Sequence, residues 1–167
     1  MKIAGLDIGT TGCKLTVFNE QGKQLDKAYR SYPVSRAAAA HEMDAGALLD
    51  GVFAVLTEMG AKHPDLAGIG VTSFGETFVL ADEQAPAMLY TDPRGAEECA
   101  ALTGKLGAEQ IARITGLAPH EMYSLPKLMW LKAHVPALFA KAKRVLLMED
   151  FVVWHLTGVA QIDHSLA

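Results

Sequence analysis

The apolar run Ile3-Ala4-Gly5-Leu6-Asp7-Ile8 ends on a carboxylate and meets Gly9-Thr10-Thr11-Gly12, after which Cys13-Lys14-Leu15-Thr16-Val17-Phe18 alternates and is rich in β-branched residues. This pattern predicts a strand, a tight turn and a second strand. A polar turn at Asn19 to Lys23 and an extended stretch from Leu25 to Tyr32 complete a three-stranded meander over residues 2–32. Pro33 to Ala40 is read as an irregular connection, with a short helix open to its alanines. Apolar residues then recur at helical spacing (Leu48, Leu49, Val52, Phe53, Val55, Leu56, Met59), with Asp44 as N-cap and Gly60 and Pro64 as stops.

Leu66 to Thr72 is expected to be a short buried strand and Glu76 to Ala81 another, with Ser73-Phe74-Gly75 turning between them. Met88 to Tyr90 is a brief extended piece leading into the turn Thr91-Asp92-Pro93-Arg94-Gly95. Helices are predicted from Glu97, over 107–115 up to Gly116, from Pro126, from Pro136, and over Asp150 to Leu156 before Thr157-Gly158. Arg144 to Leu147 is read as a strand, and no stop is identified in Gln161 to Ala167. Strands interleaved with helices imply an α/β fold with a mixed sheet and functional loops at the strand ends.

Composition narrows the partners more than the fold. At 167 residues, 50% hydrophobic and 20% charged, the chain suits one domain with a substantial core. A net charge of −4 offers no footprint for nucleic acid or an anionic membrane. No apolar stretch is long enough for a membrane span, and no secretory leader is recognisable, so a cytoplasmic protein with small-molecule partners is expected. Cys13 and Cys99 are too few for a disulfide framework, and the six histidines lack metal-ligand spacing. His41, Glu42 and Asp44 together read as a solvated helix start rather than a metal site. Met59, Met88, Met129, Met148, Trp130 and Trp154 read as core.

The chemistry concentrates in the first turn. Glycine tolerates positive φ and has no Cβ, so backbone at Gly9 and Gly12 is able to approach a ligand and aim N–H groups at anionic oxygens. Asp7 suits Mg²⁺ or its waters, Thr10 and Thr11 supply hydroxyl donors, and Lys14 adds a cation. An ordinary tight hairpin is the alternative. A Walker loop is excluded because Cys13, not Lys-Ser or Lys-Thr, follows Gly12, and a dinucleotide loop because a strand, not a helix, follows the turn.

A strand, Asp-x-Gly-Thr-Thr-Gly and a second strand resemble the first phosphate loop of the actin-like ATPase superfamily. Further along, Gly68 to Thr77, Tyr90-Thr91-Asp92-Pro93-Arg94, Pro126 to Lys132, and Val145 to Asp150 with Leu156-Thr157-Gly158 follow in the order found in the FGGY carbohydrate kinases. The ordered set resembles the N-terminal part of that family over nearly the whole chain. The resemblance implies a ribonuclease H-like (actin-like ATPase) domain, incomplete here, with a mixed sheet, an antiparallel three-stranded meander and flanking helices. It also implies a sugar-binding N-terminal domain over residues 1–167, followed in family members by the rest of that domain and a nucleotide-binding domain. The implied activity is ATP-dependent phosphorylation of a sugar or polyol hydroxyl.

Position by position, the resemblance makes Asp7 the Mg²⁺-associated aspartate, with Gly9, Thr10, Thr11, Gly12 and Lys14 at the ATP phosphates. Phe74, Gly75, Glu76, Asp92 and Arg94 fall on the substrate side, Glu76 as the acid that holds substrate hydroxyls. The general base is expected to be an aspartate beyond Ala167, so the fragment alone is expected to be inactive, with self-association as a homo-oligomer through exposed apolar surface. Three departures bear on the substrate: Gly75 stands where glycerol kinase has arginine, Tyr90 replaces a tryptophan, and Met122 replaces a stacking tyrosine. Glycerol is therefore not the expected substrate, and a neutral polyol or keto sugar is. The competing function is a nucleotide switch of the actin or Hsp70 type, which leaves Asp92, Arg94 and the 126–132 stretch unexplained.

Overall fold

The structure is a computed structural model that describes residues 1–81 and 85–162; the last five residues of the expected unstopped tail lie outside it. The chain divides into two compact units, one formed by Met1–Val34, Met43–Gly75 and the segment from Leu146 onward, the other by Ser35–Glu42 and Glu76–Val145.

The first unit is built on a four-stranded sheet. Strands β1 (Lys2–Ile8), β2 (Gly12–Phe18) and β3 (Gln24–Ser31) form the expected antiparallel meander, and β6 (Leu66–Ser73) joins the free side of β1 in parallel, giving the order β3-β2-β1-β6. Alternation along the strands decides which face is filled: Leu6, Ile8, Cys13, Leu15 and Val17 are fully buried, whereas Asp7 and Lys14 are exposed. Helix α1 (Ala45–Lys62) packs across β2 and β3 with Leu48, Val52, Val55 and Met59 in that core. Its first turn is capped by Asp44, whose Oδ1 accepts from the N–H groups of Gly46 (2.8 Å) and Ala47 (3.1 Å). The helix runs through Gly60 and stops two residues before Pro64, which disfavours helical backbone at the residue preceding it.

Two expectations are corrected in this unit. Leu66 to Thr72 does form a strand, but it is largely exposed, with Ile69 at 43%, because β6 is the edge of the sheet. An apolar run has the same sequence pattern at a sheet edge and at its centre. Second, neither Gly9 nor Gly12 adopts positive φ. Close approach imposes glycine at position 12, where a Cβ would lie 2.2 Å from the Tyr29 hydroxyl and 2.6 Å from the Arg30 carbonyl oxygen. Helix α6 (Met148–Thr157), ended by Gly158 in the left-handed conformation, packs against β6.

The second unit corrects the reading of 33–40. Val34–Ala37 is a strand, β4, and Ala40–Met43 another, β5, joined by a two-residue turn. With β7 (Phe78–Leu80), β8 (Ala87–Met88) and β9 (Val145–Leu147) they form a sheet ordered β4-β5-β8-β7-β9. Backbone pairing to distant strands outweighs the helix propensity of the alanines. The expected strand from Glu76 is shorter, starting at Phe78, because Glu76 is in the left-handed conformation (φ 61°). Helices α2 (Ala96–Leu106), α3 (Ala108–Thr115), α4 (Ser124–His134) and α5 (Pro136–Lys141) occur where predicted, and α4 packs on α2 and α5. Gly95, at φ 103°, precedes α2 where a Cβ would come within 3.0 Å of the backbone at Pro126 and Lys127.

Candidate active site

In the first unit, the β1–β2 register places Asp7 opposite Lys14, and the Asp7 Oδ2 lies 3.2 Å from the Lys14 ammonium with both side chains about half exposed. The turn closes with the Gly9 N–H donating to the Gly12 carbonyl at 2.9 Å, so Thr10 and Thr11 form its tip. Among the described residues, the N–H groups of Thr10 and Thr11 find no backbone acceptor. One carboxylate, one ammonium and two unspent N–H donors therefore meet at one strand end. Such a set of donors suits anionic oxygens, and a single carboxylate suits Mg²⁺, which keeps waters and phosphate oxygens in its shell. No cluster of three or more His, Cys, Asp or Glu side chains able to cage a metal occurs among the described residues.

The end of β6 arrives beside this turn. Ser73 pairs with Ile8, and the Phe74 N–H donates to the Ile8 carbonyl at 3.2 Å, which brings Phe74 and Gly75 next to the loop. Gly75 is exposed and a Cβ there would meet nothing within 4 Å, so the missing arginine of glycerol kinase is no steric requirement of this backbone.

In the second unit, Glu76 is the only non-glycine residue with positive φ among those described. Residues held this way cost about 1–3 kcal/mol and cluster at functional positions. Its Oε2 receives the Ser124 N–H and hydroxyl, both at a long 3.4 Å, at the start of α4, and the side chain is half-buried. Oε1 has no hydrogen-bond partner among the described residues.

Asp92 and Arg94 behave differently. The Asp92 carboxylate is fully buried and accepts four hydrogen bonds: from the Arg94 N–H and Nε on Oδ1 (2.9 Å each), and from the His41 N–H (2.8 Å) and Arg94 Nη2 (2.6 Å) on Oδ2. Burial pushes this carboxyl up, but the Arg94 guanidinium and the two backbone N–H groups outweigh it and hold it below the usual carboxylate range. Arg94 also donates to Glu42 (2.6 Å) and lies over the Trp130 ring at 4.9 Å. With every acceptor position of Asp92 filled, this pair braces the 91–95 turn, while the Arg94 Nη1 N–H groups have no acceptor among the described residues. His41 and Glu42 belong to this brace rather than to a solvated helix start.

Lys127 escaped sequence reasoning. It is fully buried in α4, and its ammonium donates to the Glu121 carbonyl, tying the 119–124 loop to the helix. Burial pushes its pKa down, opposed by the charges of Asp92 and Glu121. A lysine one residue after a proline in the first turn of a helix gives no local sign of such burial. Ser124 was equally invisible, since its role depends on Glu76, 48 residues away.

A model of the FGGY family of carbohydrate kinases, N-terminal domain, matches residues 2–167. The chain is 28% identical to the xylulose kinase of Bacillus subtilis, covering 98% of this chain and 34% of that protein. It is 33% identical to the glycerol kinase of Trichodesmium erythraeum over 99% of this chain and 36% of that one. The crystal structure of a xylulose kinase from Rhodospirillum rubrum superposes on all of the chain with a TM-score of 0.93 at 27% identity, using 36% of its own length. The chain thus spans about a third of the length of the curated relatives it matches. The mixed sheet, in which β6 extends the antiparallel meander in parallel, is the actin-like ATPase arrangement shared with these kinases. The chain belongs to the FGGY family of carbohydrate kinases.

Proposed function

We propose that this chain forms the phosphate-loop and sugar-binding part of a kinase that transfers the γ-phosphoryl group of ATP to a hydroxyl of a keto sugar or polyol. The observation that carries this is the presence, in a chain of this family, of an Asp7–Lys14 turn in the first unit and of a half-buried Glu76 carboxylate with an unspent oxygen in the second. Thr10 and Thr11 bind phosphate oxygens through N–H and hydroxyl donors, and Lys14 offsets their charge. Asp7 is the residue to hold Mg²⁺ or its waters; Mg²⁺ when bound neutralises charge developing on the phosphate oxygens. Glu76 accepts hydrogen bonds from substrate hydroxyls, held at the start of α4 by Ser124. Asp92 contributes by holding Arg94 in the turn before α2, and Arg94 keeps its Nη1 N–H groups for substrate oxygens. Proton abstraction is assigned to an aspartate that the family resemblance places beyond Ala167.

Xylulose kinases and glycerol kinases stand among the relatives. With Gly75 where glycerol kinase has arginine, keto sugars are favoured over glycerol. A cytoplasmic location accords with the ATP requirement; no helix among the described residues is long and apolar enough to cross a membrane. The test is to incubate the full-length protein with Mg-ATP and a panel of pentuloses, hexuloses and polyols, and to measure ADP release. Tenfold stimulation by a sugar supports the kinase. Stimulation by peptides with none by sugars overturns it in favour of a nucleotide switch.

A further inference from the structure

A two-residue turn at a strand end is held by few contacts of its own, yet a phosphate-binding turn has to present its N–H groups in fixed directions. In this structure one residue outside the turn reaches it twice, once through its backbone and once through its side chain. Tyr32, directly after β3, donates its backbone N–H to the Thr11 carbonyl (3.3 Å) and its phenol O–H to the Gly9 carbonyl (2.5 Å).

Peptide planarity turns these two bonds into a statement about donors. In a trans peptide the C=O of one residue and the N–H of the next point in opposite directions; no cis peptide occurs among the described residues. Fixing the Gly9 carbonyl toward Tyr32 therefore fixes the Thr10 N–H away from it, and fixing the Thr11 carbonyl does the same for the Gly12 N–H. The Thr10 N–H is one of the two donors left without a backbone acceptor.

The ring itself is held in place. Tyr32 is 7% exposed, and α1 passes over it at Gly51, where a Cβ would lie 3.2 Å from the Tyr32 Cδ1 and 3.6 Å from the Cys13 Sγ. A glycine in mid-helix is unfavourable; here it makes room for the ring. Burial also pushes the phenol pKa up, so it remains a donor at physiological pH.

We propose that Tyr32 is a positioning residue of the phosphate loop, which aims the Thr10 N–H at nucleotide phosphate without touching the nucleotide. This role rests on the kinase function proposed above. The experiment compares the full-length wild type with Tyr32→Phe and Gly51→Ala, measuring KM for Mg-ATP and for sugar, Mg-ADP affinity by calorimetry, and amide hydrogen exchange at residues 9–12. Tyr32→Phe is expected to raise the Mg-ATP KM and the Mg-ADP Kd about three- to tenfold, the span one hydrogen bond carries. The sugar KM should stay within twofold, and exchange at Gly9, whose N–H closes the turn, should accelerate. Gly51→Ala keeps the phenol but crowds the ring, and is expected to shift the same constants in the same direction although it improves helix propensity, which separates loop positioning from loss of stability. It also decides the matter should Tyr32→Phe fail to fold. Wild type that binds no Mg-ADP would overturn the kinase function itself. Wild type that binds it, with both variants indistinguishable from it or with both KM values shifted equally, would overturn the role of Tyr32 alone.

Discussion

At the scale of single residues, the two carboxylates assigned to the site stand in different surroundings and should fail differently. Asp7 is half exposed beside Lys14 at the phosphate turn, with no bond to the sugar-side residues of its own unit. Asp7→Asn in the full-length enzyme is expected to lower kcat about 10- to 100-fold, the usual loss when a metal site is perturbed, and to leave the sugar KM nearly unchanged. Steady-state kinetics with Mg²⁺ titrated across its working range checks this; an unchanged kcat removes Asp7 from the mechanism. Glu76 combines a left-handed backbone with a carboxylate held only by long hydrogen bonds. Glu76→Ala should weaken sugar binding by roughly 1.5–3 kcal/mol, the scale of a hydrogen bond to a charged group, without changing nucleotide affinity. Glu76→Gly should bind sugar as poorly yet be about 1 kcal/mol more stable than the alanine variant, because alanine keeps the left-handed penalty that glycine lacks. Calorimetry and urea unfolding of the two variants decide it, and equal stabilities would mean that the backbone at Glu76 carries no strain.

Among the elements, α1 is the one whose start, length and buried face follow most directly from local chemistry. Asp44 satisfies two N–H groups of the first turn, and Leu48, Val52, Val55 and Met59 form the buried stripe. Asp44→Ala should cost about 1 kcal/mol, within the range for a lost N-cap, read as a lower urea midpoint with an unchanged slope. A loss well above 2 kcal/mol would show that Asp44 does more than cap. The strand β6 illustrates the opposite case: its sequence is a good apolar run, but its burial is set by having a neighbour only on the β1 side.

For the molecule as a whole, the relevant fact is that the curated relatives extend over about three times the matched region. Proton abstraction and adenine binding are assigned by family resemblance to that further length. A polypeptide of residues 1–167 is therefore expected to show no sugar-dependent ADP release above background. General-base catalysis alone is commonly worth about 10²–10⁴-fold, and lost positioning costs more. Turnover near 1 s⁻¹, at the low end of ordinary enzyme rates, would show the 167 residues to be catalytically complete. The same polypeptide exposes Ile3 (50%), Tyr29 (54%) and Ile69 (43%) on its first sheet, apolar surface of the kind that drives self-association.

Local chemistry alone determined the meander of residues 2–32 with its tight turn at Gly9 to Gly12, the helix capped by Asp44 and the later helices. Each of these depends on alternation, helical spacing or turn residues within a few positions of one another. Of the candidate site, Asp7, Thr10, Thr11 and Lys14 were legible because they lie within eight residues of chain, and Glu76 because it belongs to an ordered motif. Tertiary structure alone decided that 34–43 pairs as strands, that Gly12 is imposed by Tyr29 and Arg30, and that Glu76 is left-handed. It also decided that His41 and Arg94 fill the Asp92 acceptor positions and that Glu42 joins them through Arg94. The physical reason is range: a hydrogen bond across 51 residues, a buried lysine or a phenol on a distant carbonyl leaves no periodicity in the chain, because it comes into being only when separate elements pack.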